Sequence, residues 1–143
     1  MQLSCGVVLL DENNRMFLVR ATGTERWDIP KGLPDPGEVP LEAALREAKE
    51  EAGIDASQWP LVDLGEQDYL TGKHLHLFAG RIESSLLDPA KCRCTSFFEH
   101  HRTKELLPEA DAFAWVEWDA WPERVGKGLR KTLQRLGERL LAL

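Results

Sequence analysis

Cysteine, basic charge and long apolar runs are all scarce in this chain, and each scarcity removes a class of protein. Its three cysteines, Cys5, Cys92 and Cys94, are an odd number and cannot all pair within one chain. The Cys92–Cys94 spacing is shorter than a usual zinc pair, and no second pair follows it. Reduced thiols in a cytoplasmic protein are therefore the expectation. No apolar run approaches the roughly 18–20 residues of a membrane span. Cys5–Leu10 is too short for the core of a signal peptide and follows no basic residue, so it reads as a strand. Lys and Arg number 18 against 24 Asp and Glu, a net charge of −6 that opposes a large nucleic-acid footprint. Polyphosphates stay open as ligands if metal ions bring the positive charge. Repeats, low-complexity tracts and linkers are absent too. With 143 residues, 43% of them hydrophobic, the chain is expected to form one domain over 1–143.

What is present is an alternation of strand and helix signals. Ser4–Leu10 and Met16–Arg20 read as strands around the turn Asp11-Glu12-Asn13-Asn14. Trp27–Ile29 is short and extended. The loop after Pro30, broken by Gly32, Pro34, Pro36 and Gly37, suits neither helix nor central strand. Pro40–Ala52 reads as a helix that Gly53 stops, with Val39 an unusual residue for its cap. His74–Ile82 and Ala112–Trp118 are β-prone. Trp121–Leu141 reads as one further helix, with Leu129, Leu133, Leu136 and Leu140 on its inner face. The class is α+β, a mixed sheet between helices.

The Pro40–Ala52 helix carries the chemistry. On a 3.6-residue wheel Leu41, Ala44, Leu45, Ala48 and Ala52 form the apolar stripe expected to face the core. Glu47, Glu50 and Glu51 converge beside it, with small Ala43 among them, while Glu42, Arg46 and Lys49 fall on the far side. A solvated acidic face is the ordinary explanation for such a pattern. Here it explains less, because like charges one turn apart repel by roughly 0.2–0.5 kcal/mol per pair. The helix C-terminus opposes anions further. A hard divalent cation, Mg²⁺ or Mn²⁺, reverses that penalty. A carbonyl at Lys31 or Gly32 could complete its shell.

Gly32, Glu38, Arg46, Glu47, Ala48, Glu50, Glu51, Gly53 and Ile54 together match the Nudix box, G-x5-E-x7-R-E-U-x-E-E-x-G-U, over residues 32–54. Nine such coincidences arise by chance on the order of 10⁻⁹ times per starting position. The chain thus resembles the Nudix hydrolases. That resemblance implies an α/β/α sandwich and hydrolysis of a phosphoanhydride bond in a nucleoside-diphosphate-linked substrate. It also implies Mg²⁺ (or Mn²⁺) at Glu50 and Glu51, with Glu47 a third ligand or the general base. Arg46 is then structural, pairing with Glu38, as is Gly53.

Two segments outside the box look like particular branches. Trp27-Asp28-Ile29-Pro30-Lys31-Gly32 is similar to the lead-in of dinucleoside tetraphosphate hydrolases, which implies substrate contacts at Lys31 and at Tyr69 with nearby Lys73. Tyr69, the only tyrosine, equally suits packing at a sheet edge. Pro108–Val116 resembles a segment of RNA 5′-pyrophosphohydrolases, which implies Glu109 as a further ligand or base; a plain loop carboxylate is the alternative. A dinucleoside polyphosphate is the expected substrate, RNA 5′ ends the second, and a non-catalytic nucleotide-binding module the reading from another class. His74 and His76 read as sheet residues, and Glu83–Ser96 as an insert without an assigned role.

Overall fold

The computed structural model describes residues 1–143. In chain order the elements are β1 (Gln2–Leu10), β2 (Met16–Ala21), β3 (Trp27–Asp28), β4 (Lys31–Gly32), α1 (Pro40–Ala52), β5 (Val62–Leu70) and β6 (Lys73–Arg81). There follow β7 (Phe97–Glu99), β8 (Leu106–Pro108), β9 (Ala110–Val116), α2 (Trp121–Arg124), α3 (Lys127–Arg135) and α4 (Gly137–Leu141). The main sheet runs β3-β2-β1-β6-β5, with β4 on β1 and β9 on β2. It is mixed: β1 and β6 pair in parallel from Gln2↔Lys73 to Leu10↔Arg81, and the remaining pairs are antiparallel.

Alternation along β1 explains the layers. Cys5, Val7 and Leu9 join Phe17, Val19 and Phe78 under the alanines of α1. Val8 and Leu10 join Leu18, Leu75 and Leu77 under Trp121, Leu129, Leu133, Leu136 and Leu140 of the C-terminal helices. Both faces are covered, so β1 is buried at every position from Cys5 onward. This is the expected α/β/α arrangement, and none of its helices is long and apolar enough to cross a membrane.

One irregularity positions the site. The turn after β1 is closed by Asp11, whose carboxylate accepts from the backbone N–H of Asn13 and Arg15 and pairs with the Arg15 guanidinium at 2.7 Å. Beyond it β1 and β2 share only the pair Leu10↔Met16 and then splay. Residues 27–32 fill the gap: Trp27 and Asp28 pair with β2, Lys31 and Gly32 with β1. Gly6 makes that wedge possible, because a Cβ there would lie 2.9 Å from both the Pro30 carbonyl and the Lys31 Cβ.

Several expectations need correction. The C-terminal helix is three pieces, interrupted at Val125–Gly126 and at Leu136; the four leucines stay buried because each piece resumes with its leucines still facing the sheet. Leu41 is exposed and Ala43 fully buried, so α1 is rotated toward its carboxylates. Strand β5 and the hairpin β7–β8 are additional elements. The insert 83–96 holds two 3₁₀ turns, and its end caps α1: Arg93 and Thr95 donate their N–H groups to the carbonyls of Ala52 and Glu50 at 3.1 and 2.7 Å.

Candidate active site

Helix α1 starts and stops as its sequence dictates. Val39 has no oxygen to cap with, but the Glu42 carboxylate accepts the Val39 N–H at 3.0 Å, and Pro40 needs no partner for a hydrogen it lacks. At the other end Gly53 adopts φ +73°, and its N–H reaches back to Lys49. Ala43, Ala44, Ala48 and Ala52 let the helix approach the sheet closely, which carries Glu51 beneath the surface.

Glu51 faces the wedge, where the Lys31 N–H approaches its Oε1 at 3.4 Å. Burial first, then the charges of Glu47, Asp28 and Glu109, push its carboxyl up to about 9 against the opposing charge of Lys31. Burial also raises Glu47, with Arg46 opposing. Gly32 lies flush against Glu47, and a Cβ there would come within 2.2 Å of the carboxyl carbon. Glycine is thus the residue that lets β4 meet this carboxylate.

Arg46 is not on the far side of the helix, as the wheel suggests. Its guanidinium reaches Glu38 at 2.8 and 3.0 Å, Glu47 at 2.9 Å, Glu50 at 3.1 Å and the Leu33 carbonyl at 2.9 Å. Asp35 adds a contact at 3.2 Å and donates its N–H to Glu38 at 2.7 Å. Those bonds hold Glu38 below the usual carboxylate range and raise Arg46. Glu47 and Glu50 thus share one guanidinium with Glu38 and Asp35, which ties them down but leaves the cluster net negative, and no three acidic side chains are gathered tightly enough to chelate an ion in this arrangement. Glu51 is the carboxylate without such a partner.

Around this centre, Lys31 pairs with Asp28 at 3.1 Å and lies 5.6 Å from the centre of the Tyr69 ring. Burial raises the Asp28 carboxyl against the pull of Lys31; for Lys31 the same burial is outweighed by Asp28, Tyr69 and Glu51, so its ammonium is held charged. No helical or strand period in the sequence reports Asp28, because its pairing with Lys31 spans Ile29 and Pro30. Lys73 stands apart from the carboxylates, at the open start of β6 opposite Leu70. Glu109 is not on a free loop. It links β8 to β9, its N–H bonded to the Ser96 carbonyl at 2.9 Å and its carbonyl to the Thr22 N–H at 3.2 Å. His74 contacts Glu66 and Asp68, and His76 contacts Asp63, on the exposed edge of the sheet.

The model of the NUDIX domain matches residues 1–136. The chain belongs to the NUDIX family. Within it, this NUDIX domain is 34% identical over 143 residues to an uncharacterized 17.7 kDa protein of Enterobacteria phage T4, covering 94% of each chain. It is 39% identical over 70 residues to a mouse bis(5′-nucleosyl)-tetraphosphatase (asymmetrical), a match covering 42% of this chain and 48% of that enzyme. In structure it resembles a C. elegans Ap4A hydrolase solved as a binary complex, with TM-score 0.71 and 21% identity over 98% of this chain and 99% of that one. With its box complete, the domain is a NUDIX pyrophosphohydrolase.

Proposed function

We propose that this NUDIX hydrolase cleaves a phosphoanhydride bond of a dinucleoside polyphosphate, using Mg²⁺, or Mn²⁺ in its place. Glu47, Glu50 and Glu51 would hold the ion, with a carbonyl at Lys31 or Gly32. The observation that carries this reading is Glu51: a carboxyl buried at the wedge and raised to about 9, beside a glycine cradle that keeps Glu47 within reach. Such a group ionises at neutral pH only when a cation arrives, and clustered carboxylate oxygens suit a hard dication. Once bound, the ion supplies orientation of the diphosphate and neutralisation of charge on the leaving group.

The chain's own residues divide the remaining work. Glu109 takes the proton of the attacking water; its backbone is fixed on both sides and its charge is felt at Glu51. Arg46, tied to Glu38 and Leu33, keeps the loop 33–38 against the helix and can release Glu47 and Glu50 without leaving its place. Lys31, fixed by Asp28, sets positive charge beside the diphosphate, and Tyr69 next to it receives a nucleoside. The mouse and nematode relatives, named for tetraphosphate substrates, support the choice of dinucleoside.

The deciding experiment is a substrate panel with Mg²⁺, its products resolved by ion-exchange chromatography. Diadenosine tetraphosphate is expected to be cleaved faster than nucleoside diphosphate sugars or triphosphorylated RNA. Preferential release of pyrophosphate from RNA would replace this substrate by the RNA 5′ end. Tight nucleotide binding with no turnover of any member would make the domain a regulatory module.

A further inference from the structure

Away from the carboxylates, a groove of about 520 Å³ lies between the β5–β6 turn and α3. Tyr69, Thr71 and Gly72 form one wall, Lys127, Lys131 and Arg135 the other. The three cations are four residues apart, so they stand one turn above another on a single helix face. None forms a salt bridge. Arg135 donates to the Asp68 carbonyl at 2.6 Å; the Asp68 carboxylate, the only acid of the groove, is 89% exposed and 3.2 Å from His74.

No ion pair within the fold balances this row. Like charges one turn apart repel, and Lys127 sits at the positive end of its helix, where a cation is disfavoured. Gly126 at the N-cap gives no side chain to the first N–H groups. Gly128 seats that end directly on the turn, because a Cβ there would lie 2.5 Å from the Leu70 side chain and 2.9 Å from the Tyr69 carbonyl. The helix end and the three cations therefore open on one groove, in a chain whose net charge is −6. Tyr69 joins the groove to the candidate active site, its backbone in the wall and its ring beside the Lys31 ammonium.

We propose that this groove is a second anion subsite, taking the distal phosphates of a dinucleoside polyphosphate whose cleaved diphosphate lies at Glu47, Glu50 and Glu51. The occupant rests on the substrate reading above; the anion site does not. Lysines suit it, since a point charge on a flexible stem follows a phosphate chain without demanding one geometry. The eight steps from Lys127 to Arg135 span roughly 12 Å of helix, the scale of a short polyphosphate. An extended nucleic-acid backbone would need a larger basic surface than this acidic chain offers.

The experiment has two arms, both comparing wild type with the double variant K127Q/K131Q, which alters exposed side chains only. In the first, inorganic tripolyphosphate is titrated in EDTA while backbone amide resonances are followed. Saturable shifts at Gly72, Lys127 and Gly128 that vanish in the variant are expected. Absent shifts, or shifts unchanged in the variant, overturn the subsite. In the second, kcat/KM is measured with Mg²⁺ for diadenosine tri- and pentaphosphate and for triphosphorylated RNA. The variant should lose about tenfold on the pentaphosphate and less than about twofold on the triphosphate. Equal loss at both lengths, or loss on RNA alone, overturns the assignment of the occupant. Tripolyphosphate binding without turnover of any dinucleotide would sink the substrate reading and leave the subsite standing.

Discussion

Gly32 and Glu51 set the behaviour of the site at the scale of single residues. A methyl group at position 32 would occupy the space of the Glu47 carboxylate, 2.2 Å away. The obstacle is the end of a flexible side chain, so Gly32→Ala should fold while displacing Glu47. It should raise the Mg²⁺ concentration for half-maximal activity severalfold, and a Mg²⁺ titration with unchanged far-UV circular dichroism tests this. Glu51 ties the site to pH. Its carboxyl goes from an ordinary 4.5 to about 9 on folding, so the folded state holds the proton more tightly than the unfolded one. Its contribution to stability is thus complete below about pH 4.5 and lost as pH rises toward 9. Melting temperatures in EDTA should fall across that range, and Glu51→Gln should remove most of the slope. An equal slope in that variant would assign the effect to other groups. The same substitution should lower kcat at least about a hundredfold at saturating Mg²⁺, since positioning and neutralising charge is most of phosphoryl-transfer catalysis.

At the scale of elements, the box helix was legible from sequence and its orientation was not. The period of 3.6 locates Pro40–Ala52 and groups Glu47, Glu50 and Glu51, but a wheel weights Leu41 and Leu45 above four alanines. Alanines decide the packing, because they permit the close approach that buries Glu51. The wheel also treats Arg46 as a radial spoke, whereas its long side chain curls back over the preceding turn to Glu38. Strand β5 was hidden by its composition, Asp63, Gly65, Glu66 and Asp68 among nine residues, and by irregularities at Asp63/Gly65 and Asp68/Leu70 that break alternation. The breaks in the C-terminal helix were hidden by leucines that keep their spacing across Leu136. Glu109 belongs at this scale because its place depends on β8, β9 and the Thr22 segment together. Glu109→Gln should lower kcat substantially, abolish the acidic limb of the pH–rate profile and leave the Mg²⁺ dependence unchanged. Glu47→Gln should instead shift the Mg²⁺ dependence. If Glu109→Gln retains both rate and limb, the base is Glu47.

At the scale of the whole molecule, the proposed metal site would link metal affinity, proton affinity and stability in one system. An ion that binds only the folded chain stabilises it in proportion to its occupancy. If the ion is held at Glu51 as proposed, that carboxyl gives up its proton on binding, and Mg²⁺ should raise the melting temperature strongly near pH 8–9 and hardly at all near pH 5. A Mg²⁺-induced shift of equal size at both pH values would place the ion away from Glu51.

The wedge at residues 27–32 has a consequence for how this chain can be lengthened. Its two ends are spoken for, Trp27 and Asp28 by β2, Lys31 and Gly32 by β1, with the Pro30 carbonyl taken by the Val7 N–H. One extra residue between Asp28 and Lys31 would advance β4 by a single step against β1, and a single step in a strand exchanges its two faces. Lys31 would then stand opposite Cys5, where Gly32 now does, and its side chain would fall where only glycine fits beside Glu47. The tip of the β7–β8 hairpin, near Arg102 and Thr103, pairs with nothing in the main sheet and can grow without moving a carboxylate. Length variation in homologous chains should therefore gather at that tip and be missing between Asp28 and Lys31.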